Sequence, residues 1–172
     1  MRGVIAKNTK GFKPGDAKRL AEEIKRSLKG APVSVRVASG HVEISARGVD
    51  EDDLKRVVRE IVGDIMDVIK GGEGLADYVA FIDMERYWEA HEALEAVWSK
   101  DRDPYLQVLI LAAAALAKAQ EGMKEAALRI ARRAEDLQRR LEYEIVDMDC
   151  LRREVERVFA GLRGMLRDCI KI

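Results

Sequence analysis

The run Arg86-Tyr87-Trp88-Glu89-Ala90-His91-Glu92-Ala93-Leu94-Glu95-Ala96-Val97-Trp98 gathers the side chains of this chain best suited to chemistry: one of its two histidines, three glutamates and both tryptophans. On a helix turning about 100° per residue, Met84, Tyr87, Trp88, His91, Leu94, Glu95 and Trp98 share one face. His91 and Glu95 lie one turn apart near its centre. A titratable pair set in an aromatic stripe is unfavourable unless its members satisfy each other or a ligand, so this pair is the first candidate site. Three roles fit it. The imidazole and carboxylate can hydrogen-bond each other and nearby backbone, fixing the register of a helical bundle. They can offer two metal ligands from one side of a helix: His91-Glu92-Ala93-Leu94-Glu95 approaches the HExxH zinc helix, with Glu in place of the second His. His41 is the other imidazole, so carboxylates would have to complete such a site. Or they can line an organic-ligand or catalytic pocket, with His91 as acid/base and Glu95 orienting it.

The elements that must position these residues read as α+β by sequence order. Val4–Ala6 is a short strand, followed by a basic loop. Pro14 and Asp16 open a helix with the apolar stripe Ala17, Leu20, Ala21, Ile24 and Leu28, closed by Gly30. Val33, Val35 and Val37 alternate with Ser34 and Arg36, and Val42 and Ile44 with Glu43 and Ser45; Ser39-Gly40 between them predicts a hairpin. Asp50 caps a second helix with the stripe Leu54, Val57, Val58, Ile61, Ile65 and Val68. This βαββα unit spans residues 1–72, and Gly71, Gly72 and Gly74 mark its boundary with an antiparallel five-helix bundle over 75–172. The bundle helices are expected over 75–82, over 84–99 with Asp83 as N-cap, over 104–120 after the Asp103-Pro104 start signal, over 123–142, and over about 150–170.

The aromatic-His-Glu run and the helices after it resemble the DUF309 family, small helical proteins of unknown function. The family pattern is an aromatic pair, E-A-H-E-x-L-E-x-x-W, a Leu-Gln-rich helix, a Gly and an Ala-containing helix. It maps onto Tyr87, Trp88, Glu89, His91, Glu92, Glu95, Trp98, Gln107 and Gly122, within a resemblance covering roughly residues 75–142. The chain departs where the family usually has a Gly after the Leu-Gln and a second Gln three residues on; here these are Val108 and Leu111. The resemblance implies an all-helical bundle and a site formed by Tyr87, Trp88, His91, Glu92, Glu95, Trp98 and Gln107, without naming a reaction. Residues 1–70 resemble no family.

Composition narrows the classes of function. With 48% hydrophobic and 36% charged residues the 172-residue chain is globular, not disordered. Abundant Arg, Lys, Glu and Asp beside one Asn, three Gln and one Thr point to a thermophilic source. The longest apolar run, Val108–Ala117, is too short to span a bilayer, and no signal segment opens the chain. Cys150 and Cys169 fit no metal-knuckle spacing and read as reduced thiols of a cytoplasmic protein. Net charge is zero; residues 1–47 nevertheless carry 11 basic and 4 acidic groups, and 48–104 carry 7 and 16. The basic end makes Lys7, Lys10, Lys13, Lys18 and Arg19 candidates for nucleic-acid contact, although Phe12 is the sole aromatic there to stack a base. The first expectation is a non-catalytic homodimer that binds a small ligand or protein partner at the His91/Glu95 face. The alternatives are a hydrolase-type enzyme, with or without a metal, using His91 with Glu92 or Glu95, and a nucleic-acid binder.

Overall fold

The computed structural model describes residues 1–171; Ile172, the last residue of the expected bundle, lies outside them. The α+β order is observed. Strands β1 (Arg2–Lys7), β2 (Val33–Val37), β3 (His41–Ala46) and β4 (Ile65–Val68) form one antiparallel sheet in the order β2-β3-β1-β4. With helices α1 (Ala17–Ser27) and α2 (Glu51–Ile61) the connectivity is βαββαβ, the split βαβ arrangement. Val4, Ala6, Val35, Val37, Val42 and Ile44 point to one face and pack beneath Leu20, Ile24, Leu54, Val57 and Val58 of the two helices.

The fourth strand corrects the expected second helix, whose stripe ran through Ile65 and Val68. Helix α2 stops at Ile61. A Cβ at Gly63 would lie 2.7 Å from the Lys7 carbonyl oxygen, so the glycine lets the chain press against the end of β1. There the Lys7 amide donates to the Asp64 carbonyl at 2.8 Å. The β-branched residues that follow pair with the open edge of β1. The 65/68 spacing fits either period, and the free strand edge decides between them.

The bundle comprises α3 (Leu75–Asp83), α4 (Tyr87–Asp101), α5 (Pro104–Gln120), α6 (Lys124–Gln138) and α7 (Met148–Phe159). Central α5 is buried nearly all round, and the Asp103 carboxylate caps it by accepting from the Tyr105 amide at 2.8 Å. Three expected boundaries move. Helix α4 begins at Tyr87, not 84, because Glu85 sits in the left-handed region (φ 57°) and turns the chain out of α3. Helix α6 ends at Gln138, whose amide oxygen accepts from the Ile145 and Val146 amides, both at 3.0 Å. Helix α7 ends at Phe159; the chain then folds back through a 3-10 turn, Leu166–Cys169, leaving Leu162 and Met165 exposed instead of in an apolar stripe. Cys150 and Cys169, read as reduced thiols, are joined in a disulfide that ties this return segment to α7.

The second face of the sheet carries Ser34, Arg36, His41, Glu43 and Ser45. It is covered by the bundle, chiefly by α5 against β2. The order of layers is therefore two helices, sheet, bundle.

Candidate functional site

Helix α4 is anchored at its first turn. The Arg86 guanidinium donates to both Glu89 carboxylate oxygens, at 2.6 and 2.7 Å, and to Asp67 of β4 at 3.1 Å. Glu89 is wholly buried. From this anchor the helix presents Tyr87, Ala90 and Leu94 to the core, and turns Trp88, His91, Glu95 and Trp98 to the boundary with solvent. Those four residues line a cleft of about 340 Å³, with Gln107 and Lys118 of α5 and Arg133 of α6 on the opposite walls.

The ring of His91 stacks on that of Trp88, with centroids 5.0 Å apart and an interplanar angle of 16°. Its Nδ1 lies 3.7 Å from Glu95 Oε2, beyond hydrogen-bonding distance. His91 Nδ1 and Trp98 Nε1 are both buried atoms without a hydrogen-bond partner among the described residues. Burial lowers the His91 pKa below the ordinary imidazole value and the Glu95 carboxylate only partly restores it, so the ring is neutral at pH 7. Arg102 lies over the Trp98 ring at 4.4 Å, leaving an indole whose N–H is desolvated and unsatisfied. The rings of His91 and Trp98, an amide and two cationic side chains therefore line one space, with the two unpartnered ring nitrogens sealed in its wall.

Trp88, His91, Glu95, Trp98 and Gln107, singled out from the sequence, line this one cleft. Tyr87 does not: its ring is fully buried in the bundle core, with its hydroxyl directed at Gly164. Glu92 leaves in the other direction, into a separate cleft between sheet and bundle. No group of three or more His, Cys, Asp or Glu side chains able to hold a metal occurs among the described residues. His91 and Glu95 would have to bind an ion as a pair. The basic amino-terminal residues are dispersed. Lys10 donates to the Ile61 carbonyl at 2.7 Å, Arg19 pairs with Asp16 and Glu23, and Lys13 folds against Gly161. Lys7 closes β1 opposite His41, and Lys18 is exposed on α1.

Sequence reasoning missed a polar layer between the units. Arg36 donates to Glu43 at 3.0 Å, and His41 Nε2 lies 3.5 Å from the same carboxylate. Burial opposes the ionised form of Glu43, but His41 and Arg36 together hold its pKa below the usual carboxylate value. Glu85 accepts from the Ser39 hydroxyl and, at 2.8 Å, from the Gly164 amide, while its carbonyl accepts from Gln120. The alternation in β2 and β3 showed a polar face; its packing against the helical bundle left no local signal.

Residues 75–130 match the family model of DUF309, a domain of unknown function. That match covers α3 to mid-α6 and contains every residue lining the bundle cleft except Arg133. No curated protein and no solved structure matches the chain. No helix of the described residues is long and apolar enough to cross a membrane.

Proposed function

We propose that the protein is a non-catalytic binder of a small planar molecule bearing a hydrogen-bond acceptor, held between Trp88 and Trp98 in the bundle cleft. The observation that carries this reading is the cleft walled by the rings of Trp88, His91 and Trp98, beside which His91 Nδ1 and Trp98 Nε1 are buried without a hydrogen-bond partner among the described residues. A desolvated N–H without an acceptor is unfavourable by about 1–3 kcal/mol, and a ligand carbonyl or carboxylate that the ring turns to meet removes that penalty. The cleft, at about 340 Å³, is within the size range of small-ligand sites. Arg133 at its edge favours an acid over a base and Glu95 on the same cleft opposes one, while Lys118 is already paired with Glu121 at 2.6 Å. An enzymatic reading has less support: no Ser, Thr, Cys or Tyr side chain lines the cleft to act as nucleophile, and no third metal-ligating side chain converges on His91 and Glu95.

The test is a thermal-shift and calorimetric panel of planar acids (benzoate, nicotinate, indole-3-acetate) at pH 7.5. Binding that is lost in Trp98→Phe and His91→Ala, with both variants still folded, supports the proposal. A panel without binders, or a His91→Ala chain that no longer folds, refutes it and makes the pair a structural element of the bundle.

The homodimer belongs to the same proposal. Exposed Met66, Leu75 and Met84 supply apolar surface for it; light scattering that gives only the 19.3 kDa monomer would remove it. A heat-adapted cytoplasmic setting is also proposed. A disulfide is rare in the cytosol of mesophiles, but intracellular proteins of hyperthermophiles are rich in them, so the charged, Asn- and Gln-poor composition and the Cys150–Cys169 bond agree.

A further inference from the structure

Between the polar face of the sheet and the bundle lies a second cleft, of about 370 Å³. Trp88 and Lys118 line both this space and the bundle cleft. Arg36 lines it too, although its side chain is only 3% exposed, and its guanidinium lies 5.3 Å from the Trp88 ring centroid. A guanidinium carries five N–H donors. Three are used: Nε to Glu43 at 3.0 Å, Nη2 to the Ser45 hydroxyl at 3.2 Å and Nη1 to the Ser34 hydroxyl at 3.4 Å. The Glu121 carboxylate, at 3.8 Å from Nη1, is too far to take a fourth. The remaining donors belong to a buried cation on the wall of this cleft.

The other charges on the lining decide what can enter. Lys118 and Glu121 satisfy each other at 2.6 Å, and the Arg36 charge is balanced by Glu43. Arg47 and Glu92 remain, neither with an ion-pair partner within 4 Å among the described residues. Arg47 is exposed at the mouth; Glu92 is half-buried on the α4 wall.

We propose that this cleft is an oxyanion site in which Arg36 and Arg47 hold a carboxylate or phosphate group, and that it continues the bundle cleft across Trp88. A guanidinium fork matches both oxyanions in geometry and charge. The ligand of the bundle cleft, on this view, is a planar molecule with an acidic tail that crosses the indole edge into the space between the units. The continuity rests on the function proposed above; the oxyanion site does not. Glu92 faces the same space and opposes an anion there, so it selects against binding until neutralised.

The chain contains two tryptophans; Trp88 borders both clefts and Trp98 the bundle cleft alone, so the Arg47 and Arg133 variants assign a change in Trp88 signal to one cleft or the other. In a Trp98→Phe background Trp88 is the sole indole reporter, and its fluorescence is titrated with sodium phosphate and, separately, sodium acetate against sodium chloride at equal ionic strength. The expected result is a saturable change with at least one oxyanion, the active one identifying a phosphate or carboxylate ligand. Arg47→Ala weakens it by about tenfold or more, Glu92→Gln tightens it, and Arg133→Ala, on the bundle cleft alone, leaves it unchanged. Because Arg36→Lys can unfold a chain that relies on the Glu43 pair, the exposed Arg47 carries the test. No saturable change with either anion, or titrations indifferent to Arg47→Ala, overturn the proposal. The planar-acid panel is read by calorimetry on the wild-type chain, which keeps both indoles of the bundle cleft, so failure of the bundle cleft and failure of the oxyanion site are separate results.

Discussion

Replacing Glu89 by Ala removes the partner of a buried guanidinium and should cost far more than any substitution in the cleft itself. Glu89 is fully buried, and both its oxygens accept from Arg86 at 2.6 and 2.7 Å. In Glu89→Ala the only carboxylate left within 4 Å of Arg86 among the described residues is Asp67, at 3.1 Å and near the surface. Breaking one side of a buried ion pair typically costs about 3–5 kcal/mol, because the remaining charge stays desolvated. For a chain of 172 residues the unfolding entropy near 60 °C is about 0.36 kcal/mol/K, so the loss lowers Tm by roughly 8–14 °C. The double variant Arg86→Met/Glu89→Leu is the control. An apolar pair of similar volume is often neutral or better than the ion pair it replaces, so the double variant recovers most of what the single one lost. Urea unfolding of the wild type and the two variants, with calorimetry for Tm, measures this directly. If Glu89→Ala melts within about 2 °C of wild type, a shift worth under 1 kcal/mol on the same entropy, then Arg86 is solvated and the anchoring of α4 assigned here is wrong. If the double variant is as unstable as the single one, the pair acts by shape and not by charge.

Three further outcomes follow from the same geometry. Reducing the Cys150–Cys169 bond, which closes a loop over a sequence separation of 19, removes about 3 kcal/mol of chain-entropy stabilisation and lowers Tm by roughly 8 °C; calorimetry with and without reductant reads this, and an unchanged Tm would show the thiols are not bonded. Because burial lowers the His91 pKa, the unfolded chain takes up this proton first as pH falls below about 6.5. His91 therefore destabilises the fold progressively from that pH down to its folded pKa and contributes nothing above it. The urea midpoint of wild type should fall relative to His91→Gln between pH 7 and 5, and parallel profiles would contradict the burial of the ring. Tyr87→Phe deletes a buried hydroxyl that has no partner, so stability should hold or rise by about 1 kcal/mol; a loss above that size would reveal a hydrogen bond to the Glu85 or Glu154 region.

Much of this was legible in the sequence where one local signal dictated one outcome. Asp103-Pro104 starts α5 because a capping carboxylate and a residue with no N–H both suit a helix N-terminus. The spacing of Trp88, His91, Glu95 and Trp98 gathers them along one boundary of α4. The stripe was drawn too wide, however. At 3.6 residues per turn Tyr87 and Leu94 fall beside His91, but the bundle core covers that flank, and periodicity alone does not say where core ends and cleft begins. Ile65 and Val68 suited a helix as well as a strand until the free edge of β1 chose. Ser34, Arg36, Glu43 and Ser45 read correctly as the polar face of a hairpin; their burial depended on a domain more than forty residues further along the chain. Long-range pairing of this kind, like the return of Cys169 to Cys150, follows from tertiary packing and leaves no trace in local pattern.

The three glutamates of one short motif illustrate how a helix turns composition into separate roles. Glu89, Glu92 and Glu95 are spaced three apart, so each leaves α4 about 60° short of a full turn from the last. That offset is enough to send them to three environments. Glu89 enters the core and meets Arg86, Glu95 stays in the bundle cleft beside His91, and Glu92 reaches the space that Arg36 borders. Burial raises the Glu92 pKa while the Arg36 charge and the Trp88 indole pull it back, as befits a carboxylate opposite a cation across an unfilled gap. Replacing a buried Arg–Glu pair by apolar residues of similar volume is often neutral or stabilising, so packing against the bundle does not by itself call for the polar residues of this sheet face. The polar choice at Arg36, Glu43 and Ser45 is accounted for if the gap is there to be occupied. On that account Trp88, shared by both clefts and touched by both His91 and Arg36, is the residue through which the amino-terminal unit and the bundle act on one ligand.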